Sequence, residues 1–318
     1  MPTEAQWDRY SRDGYLPLGQ VATKPELEAL RRRVDDLALG EVSNPNVKLQ
    51  MDTGGEYDQL PGIVERFEEG TVLYRKVQGL ETDDLYGRLV RHPTCVEVCA
   101  RAYGPHTPVS IFRAMVMNKP AGQGTRLPWH QDGGAVWQLD RDPLVTIWVA
   151  LVSATPENGC LEVVPGSHRL GLLSWFGSTL SDDNVAVHCP ADAVVPLPVE
   201  EGHAVLLHNW VLHRSGVNPS PGPRRAFTCA YLDGLTRNNL TGELFPLVWG
   251  ELPGGAPRYL EQLRSDNSEL RESRQRAEEY ALSLLDENKA LHASIAEATT
   301  YAHSLEAELA RLRQVPQG

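Results

Sequence analysis

The middle of the chain consists of short apolar runs separated by turn residues. Val109 to Met117, Leu144 to Val152 and Ala226 to Leu232 are runs rich in β-branched, aliphatic and aromatic residues. Asn158-Gly159 and Pro221-Gly222-Pro223 are two of the breaks between such runs. Many short strands with this punctuation are typical of a sandwich or a jelly roll. The sequence therefore predicts a β core from Val109 into the 240s.

Helical patterns come before this β-rich region. Residues 4–39 read as helical apart from one short strand, and Leu80 to Leu89 and Pro93 to Tyr103 are predicted short helices. Residues 41–70 are rich in Gly, Pro, Asn and Asp without a clear period, which indicates an irregular segment, either a lid or a surface excursion. The predicted fold class is α+β: N-terminal helices that flank a double-stranded β-helix (jelly-roll) core.

The C-terminal part of the sequence has a different character. We expect a globular domain over 1–248, a linker rich in Pro and Gly over 249–257, and a coiled coil over 258–318. The coiled coil follows from a seven-residue apolar repeat, which predicts a homodimer or higher oligomer. A single amphipathic helix packed back on the domain is the alternative. The repeat begins at Leu263 and continues through Leu270, Ala277, Leu284, Leu291, Ala298, Leu305 and Leu312.

Charge and composition exclude several classes of protein. The net charge is −12 and the pI about 5.3, whereas a general binder of nucleic acid or anionic membranes carries a basic surface. The N-terminus lacks the features of a signal peptide, and no apolar run is long enough to span a bilayer. The cysteines are odd in number and lack CxxC spacing, which favours reduced thiols and a cytoplasmic protein.

The segment His130-Gln131-Asp132 is the strongest chemical motif. In an extended chain, the side chains of His130 and Asp132 project to the same face. Two histidines and one carboxylate that leave other positions open form a non-haem Fe(II) site, although an isolated His-x-Asp also occurs by chance. Of the other histidines, only His213 is followed closely by a well-placed cation, Arg224, which could bind a carboxylate or be a surface residue. In a strand, the neighbouring Arg225 would point the opposite way.

These and other blocks, in order and spacing, resemble the phytanoyl-CoA dioxygenase family of Fe(II)- and 2-oxoglutarate-dependent oxygenases. The resemblance covers roughly residues 5–245 and excludes the predicted coiled coil. The blocks are His130-Gln131-Asp132, Thr146 to Leu151, Glu157-Asn158-Gly159-Cys160-Leu161, Val164-Pro165-Gly166-Ser167-His168-Arg169, and His213 to Asn218 with Arg224.

The resemblance implies a role for individual residues. His130, Asp132 and His213 would bind Fe(II), and Arg224 would pair with the C5 carboxylate of 2-oxoglutarate. Further contacts with this co-substrate are implied for Ser215, Trp148 and Asn118. His168 belongs to a family block that is more structural than catalytic. Gly202-His203 departs from the Gly-Asp that the family often has, a change that we interpret as structural.

By the same resemblance, the chain would use O2 to hydroxylate a small-molecule or glycan-type substrate, with release of succinate and CO2. Desaturation, epimerisation and ring formation stay open, and no basic cluster indicates an acyl-CoA substrate. Residues 41–70, 133–142 and 171–190 would line or cover the pocket, where Trp137 and Trp175 could stack on a ring, although burial in a core is commoner. The alternative is a non-catalytic, dioxygenase-like scaffold that the coiled coil oligomerises.

Overall fold

A computed structural model describes residues 2–122 and 124–252, together with Leu291, Ser294, Ile295, Ala298 and Thr299. The chain divides into two compact units, Met1–Leu252 and Pro253–Gly318. Apart from these five residues, the predicted coiled coil over 258–318 lies outside the described residues, as does the dimer that it implies. Among the described residues, no helix combines the length and the apolar character needed to cross a bilayer.

The helices of the first unit follow the predictions closely. Asp83 explains why the third helix begins later than expected: Leu80–Thr82 forms a 3-10 turn, and the Asp83 side chain then caps the helix by accepting from the backbone N–H groups of Leu85 and Tyr86. The helices are α1 (Glu4–Asp13), α2 (Lys24–Leu39), α3 (Asp84–Val90), α4 (Pro93–Tyr103) and a short α5 (Asp182–His188) between strands.

The strands form two antiparallel sheets. The strands are β1 (Tyr15–Gln20), β2 (Lys48–Met51), β3 (Tyr74–Gln78), β4 (Val109–Lys119), β5 (Leu127–Gln131), β6 (Val145–Ala150), β7 (Leu161–Val163), β8 (Ser178–Thr179), β9 (Val195–Leu197), β10 (His203–Leu207), β11 (His213–Ser215), β12 (Arg224–Asp233) and β13 (Leu247–Trp249). The major sheet has the order β1-β10-β6-β12-β4-β3-β2, with β13 also paired to β4. The minor sheet has the order β8-β5-β11-β7-β9.

The major sheet is covered on both faces, and β6 shows how. Ile147 and Val149 belong to the large apolar cluster that the sheet forms with α2, α3 and α4. Trp148 and Ala150, on the opposite face, belong to a second cluster that includes Leu161 and other residues of the minor sheet. β6 is buried at every position, and a strand that is covered on both faces has an almost continuously apolar sequence. The helices and the minor sheet therefore lie on opposite faces of the major sheet.

Two details of the fold bear on the sequence predictions. Residues 41–70 are not wholly irregular, because β2 pairs with β3 and buries Leu49 at the edge of the major sheet. A strand this short gains its order from its partner, so its sequence alone did not indicate it. All the cysteines are buried free thiols, as the odd number and the spacing predicted.

Candidate active site

Three metal-ligand side chains converge between the two sheets. His130 near the end of β5 is the direct cross-strand partner of His213 at the start of β11, and their ring centroids lie 4.0 Å apart. Asp132 follows β5, with its carboxylate oxygens 4.0 Å from Nε2 of each histidine. One ligand atom from each residue lies within 4.8 Å of the others. The antiparallel register thus brings together two histidines that are far apart in the sequence.

Backbone hydrogen bonds orient both imidazoles. Nδ1 of His130 lies 3.0 Å from the carbonyl oxygen of Pro128, and Nδ1 of His213 lies 2.9 Å from that of Val211. A carbonyl oxygen can only accept, so each Nδ1 must donate a proton. Each Nε2 then keeps a free lone pair that faces Asp132, which is how metal-binding histidines are commonly held.

The donor set suits a divalent first-row metal. Burial, and to a smaller extent the nearby His213, lower the pKa of His130 to about 3, so the imidazole is neutral at physiological pH. A neutral imidazole is the form that binds a metal, and one carboxylate offsets part of the charge of the ion. His130, Asp132 and His213 therefore fit Fe(II), the ion of the two-histidine, one-carboxylate arrangement.

Hydrogen bonds of two further residues, Gln131 and Ser167, support the metal ligands, and the sequence did not indicate this role for either. Gln131 projects away from the metal ligands, donating to the carbonyl oxygens of Gly171 and Trp210 and accepting from the N–H of Leu173. Ser167 accepts from the N–H of Leu212 at 2.8 Å, next to His213. The Pro-Gly-Ser-His-Arg block that contains Ser167 is thus structural. His168 lies elsewhere, with Nε2 3.1 Å from the carbonyl oxygen of Ser11.

Arg224 is a buried cation in the same cavity as the metal ligands. Its side chain is 2% exposed, one terminal nitrogen donates to the carbonyl oxygen of Gly159 at 2.9 Å, and Nε has no hydrogen-bond partner. The guanidinium lies 5.8 Å from the ring centroid of Trp148. Burial lowers its pKa to about 10, so the group is still charged at neutral pH. A buried guanidinium with a free N–H is prepared to receive an anion.

The other residues implied for the co-substrate differ in position. Ser215 and Trp148 line the cavity, which has a volume of about 240 Å³ and also contains the metal ligands. Asn118 lines a small adjoining cavity with Ser215 and Arg224, and its side chain donates to the carbonyl oxygens of Tyr74 and Val72. The structure therefore brings Ser215 and Trp148 into the main cavity and places Asn118 beside Arg224 in the adjoining one.

The cavity also has a set of cations that our sequence analysis missed. Arg75 and Lys76 on β3, and Arg113 on β4, line it together with Arg224, whereas Asp132 is the carboxylate in its lining. A positive residue within a strand is ordinary on a solvated face, so the sequence contained no signal that these side chains point inward. Only the position of the minor sheet distinguishes the two faces.

Loops close the cavity, in part where expected. Tyr57 from 41–70 and Val136 and Trp137 from 133–142 line it. The segment with Val136 is held by the 171–190 loop, because the N–H groups of Ala135 and Val136 donate to the carbonyl oxygens of Trp175 and Phe176. The Trp175 side chain is 69% exposed, so the expectation of burial was wrong for it. An aromatic side chain at a loop tip has no second layer to cover it.

Comparison with known sequences is consistent with this geometry. The sequence model of the phytanoyl-CoA dioxygenase (PhyH) family matches residues 10–226. An L-proline trans-4-hydroxylase of Streptomyces griseoviridis is 32% identical over 247 residues, covering 70% of this chain and 84% of that protein. A probable phytanoyl-CoA dioxygenase of Caenorhabditis elegans is 27% identical over 264 residues, covering 75% of this chain and 81% of that protein.

Solved structures share the fold. The non-haem, α-ketoglutarate-dependent carbocyclase SnoK from nogalamycin biosynthesis superposes with a TM-score of 0.58 at 22% identity, covering 78% of this chain and 97% of that one. EctD from S. alaskensis, solved with 2-oxoglutarate and 5-hydroxyectoine, superposes with a TM-score of 0.56 at 21% identity, covering 80% of this chain and 82% of that one.

Proposed function

The chain belongs to the phytanoyl-CoA dioxygenase family, and on that basis we propose that it is an Fe(II)- and 2-oxoglutarate-dependent dioxygenase that hydroxylates a small molecule. One observation carries the proposal: the metal-ligand trio His130, Asp132 and His213 shares a cavity with the buried guanidinium of Arg224. A metal site and a carboxylate site in one cavity are what a keto-diacid co-substrate requires. The alternation of successive strands between the two sheets from β4 to β7 supports the jelly-roll assignment.

The cofactors are Fe(II), 2-oxoglutarate and O2. His130, Asp132 and His213 would hold the metal and leave other coordination positions open. With iron bound, the site can couple the oxidative decarboxylation of 2-oxoglutarate to succinate and CO2 with oxygenation of a second substrate. The protein's own part in this chemistry is to position both substrates.

Arg224 would orient the co-substrate. Its free Nε–H and its charge suit the far carboxylate of 2-oxoglutarate, and Ser215 could donate a hydroxyl hydrogen bond to the same group. Trp148 would cover one side of the bound molecule. Because Arg224 is desolvated, a carboxylate there is bound more strongly than it would be in water.

The nature of the substrate is narrowed by one relative. The L-proline hydroxylase is 32% identical to this chain, which supports hydroxylation of a small molecule over a glycan-type substrate. A purely scaffolding role is not favoured, because the site keeps a full set of metal ligands and a prepared anion site. Desaturation and ring formation are other outcomes of the same oxygen activation.

The proposed function is tested by two measurements on the purified protein. Under anaerobic conditions, addition of Fe(II) and then 2-oxoglutarate should produce a weak visible charge-transfer band. In air, a screen of small molecules should identify one that stimulates succinate release. Absence of the band, together with no binding of 2-oxoglutarate by calorimetry, would refute the proposal.

We also propose that the heptad repeat over 258–318 makes the protein a dimer or higher oligomer. A chain truncated after Leu252, the end of the first compact unit, should keep its affinity for 2-oxoglutarate. Its molar mass by light scattering should fall to that of a monomer. An unchanged oligomer after truncation would show that the repeat does not assemble the protein.

A further inference from the structure

We propose that the primary substrate is a small organic anion, and that Arg113 and Lys76 bind its carboxylate or phosphate group. This inference rests on the proposed function, because it assumes that Arg224 is occupied by 2-oxoglutarate. It concerns the remaining cations of the cavity, for which that function has no use.

Arg113 and Arg224 are too far apart to serve one ligand group. On β12, Arg224 pairs with Lys119 of β4, whereas Ala230 pairs with Arg113. The two positions on β12 are six residues apart (230 − 224), which is about 20 Å along a strand. The pair Met115 and Thr228 lies between them and also faces the cavity. Arg224 thus enters the cavity from one end of the strand pair, and Arg113 from a separate point near the middle of β4.

In the part of the chain that the structure describes, neither Arg113 nor Lys76 forms an ion pair, and Asp132 is the carboxylate that acts on both from a longer distance. Among the described residues, no carboxylate lies within ion-pair distance of either side chain, although both line the cavity. Burial lowers the pKa of Arg113, and that of Lys76 to about 7, the latter also because Arg75 and Arg113 lie near it. Cations that are largely buried are expected to have a counter-ion. A bound anion would supply it.

Arg113 is held in place by local structure. Its neighbour Phe112 is an extra residue on β4, because Tyr231 pairs with Ile111 and Ala230 with Arg113. Such a bulge redirects side chains and is common beside active sites. The guanidinium therefore lies 4.4 Å from the ring centroid of Phe112 and 4.6 Å from that of Trp137.

The loop that carries Trp137 is also constrained. Gln138, directly after it, has φ 55°, the one positive φ of a non-glycine residue among those that the structure describes. A side chain in this left-handed region is strained, and such strain often persists where a neighbouring group must be placed. Here the neighbouring group is the Trp137 ring, which stacks on Phe112 at a centroid distance of 4.7 Å. The guanidinium thus packs against two aromatic rings that are themselves stacked.

Charge balance supports an anionic substrate. The chain as a whole has a net charge of −12, yet its cavity is lined by Arg75, Lys76, Arg113 and Arg224 against the one carboxylate of Asp132. Asp132 would bind the metal, the far carboxylate of 2-oxoglutarate would occupy Arg224, and Arg75 donates to Gln50 and lies over Tyr57. Lys76 and Arg113 remain, and a cationic or neutral substrate would leave both without a partner.

The test is calorimetry on the full chain loaded with Zn(II) and saturating 2-oxoglutarate, at constant ionic strength. Sodium acetate probes a carboxylate, sodium sulfate probes a tetrahedral anion, and acetamide is the neutral control. The variants are Arg113→Gln, Lys76→Met and Arg113→Lys. Arg32→Gln is the matched control, because Arg32 is exposed on α2 and has no ion-pair partner among the described residues.

We expect the wild type to bind acetate or sulfate saturably and acetamide not at all. Arg113→Gln and Lys76→Met should weaken anion binding at least about 10-fold, Arg113→Lys should restore part of it, and Arg32→Gln should match the wild type. The stronger of the two anions identifies the group as planar or tetrahedral. Equal binding by wild type and Arg113→Gln, or no anion binding by a protein that binds 2-oxoglutarate, would overturn the inference. Failure to bind 2-oxoglutarate would instead refute the proposed function.

Discussion

The two sheets contribute different chemistry to one cavity. The minor sheet supplies His130 and His213 on neighbouring strands, with Asp132 directly after one of them. The major sheet supplies the cations, Arg113 and Arg224 among them, at separate points along a long strand pair. Metal ligands must converge on one ion and so need a single tight register, whereas anion sites serve separate groups and can be spread out. The two sets should therefore be separable by mutation.

The largest loss of activity is expected when a metal ligand of the minor sheet is replaced. His213→Ala should abolish Fe(II) binding and lower succinate formation by more than the roughly 10- to 100-fold that loss of an outer partner of a metal ligand costs. His203→Ala is the control, because this partly buried histidine on β10 lies 4.0 Å from Glu200 and does not line the cavity. Metal content and turnover should be measured together. Full activity in His213→Ala would place the metal elsewhere.

An intermediate effect on the KM for 2-oxoglutarate is expected for Arg224. Its neighbour Arg225, which points to the opposite face of the major sheet, serves as the control. Arg224→Gln should raise the KM for 2-oxoglutarate about 100-fold, since a buried carboxylate loses a charged partner worth roughly 2–5 kcal/mol. Arg225 forms an ion pair of 2.8 Å with Asp35 on the helix side. Arg225→Gln should leave that KM unchanged and lower the free energy of unfolding by about 1–3 kcal/mol.

Steady-state kinetics and denaturant unfolding of both variants separate these roles. If both variants raise the KM equally, the effect comes from general disruption of β12 and not from a carboxylate site. If neither does, the co-substrate binds without Arg224.

The smallest change in KM is expected for a residue of the minor sheet that lies in the anion site of the major sheet. Ser215 belongs to the minor sheet but lines the small cavity beside Arg224. Ser215→Ala should raise the KM for 2-oxoglutarate about 5-fold, the cost of roughly one hydrogen bond, with kcat and metal content unchanged. An unaltered KM would mean that the major sheet alone holds the co-substrate.

The sequence predicted those site residues that belong to local patterns, and it did not predict those that depend on partners distant in the sequence. His130 and Asp132 form a local motif, and strand alternation indicated that Arg224 and Arg225 would face opposite ways, as their separate partners show. Arg113 carried no such signal. It alternates with Met115 and Met117, which also line the cavity, but only the second sheet, which tertiary structure supplies, makes that face of β4 an enclosed one.

Two polar residues on the strands, Asn118 and Gln131, show the same limit. The position of Asn118 near the co-substrate stays a prediction: the residue lies beside Arg224 in the small cavity, and no local pattern indicated that its amide donates to the backbone of Val72 and Tyr74. Gln131 ties the loop after Ser167 to β5 through two hydrogen bonds, with Gly171 and Leu173, and donates a third to the carbonyl oxygen of Trp210. Partners that are distant in sequence decide both cases, and no periodicity reports them.

The direct pairing of His130 with His213 has a consequence beyond catalysis. An ion bound by both rings would cross-link β5 and β11, two strands that are far apart in the sequence. Binding that favours the folded chain over the unfolded one adds to its stability in proportion to ion supply. We therefore expect iron scarcity to shorten the lifetime of the protein as well as to abolish its activity. Hydrogen exchange of the backbone amides should accelerate first in β5 and β11.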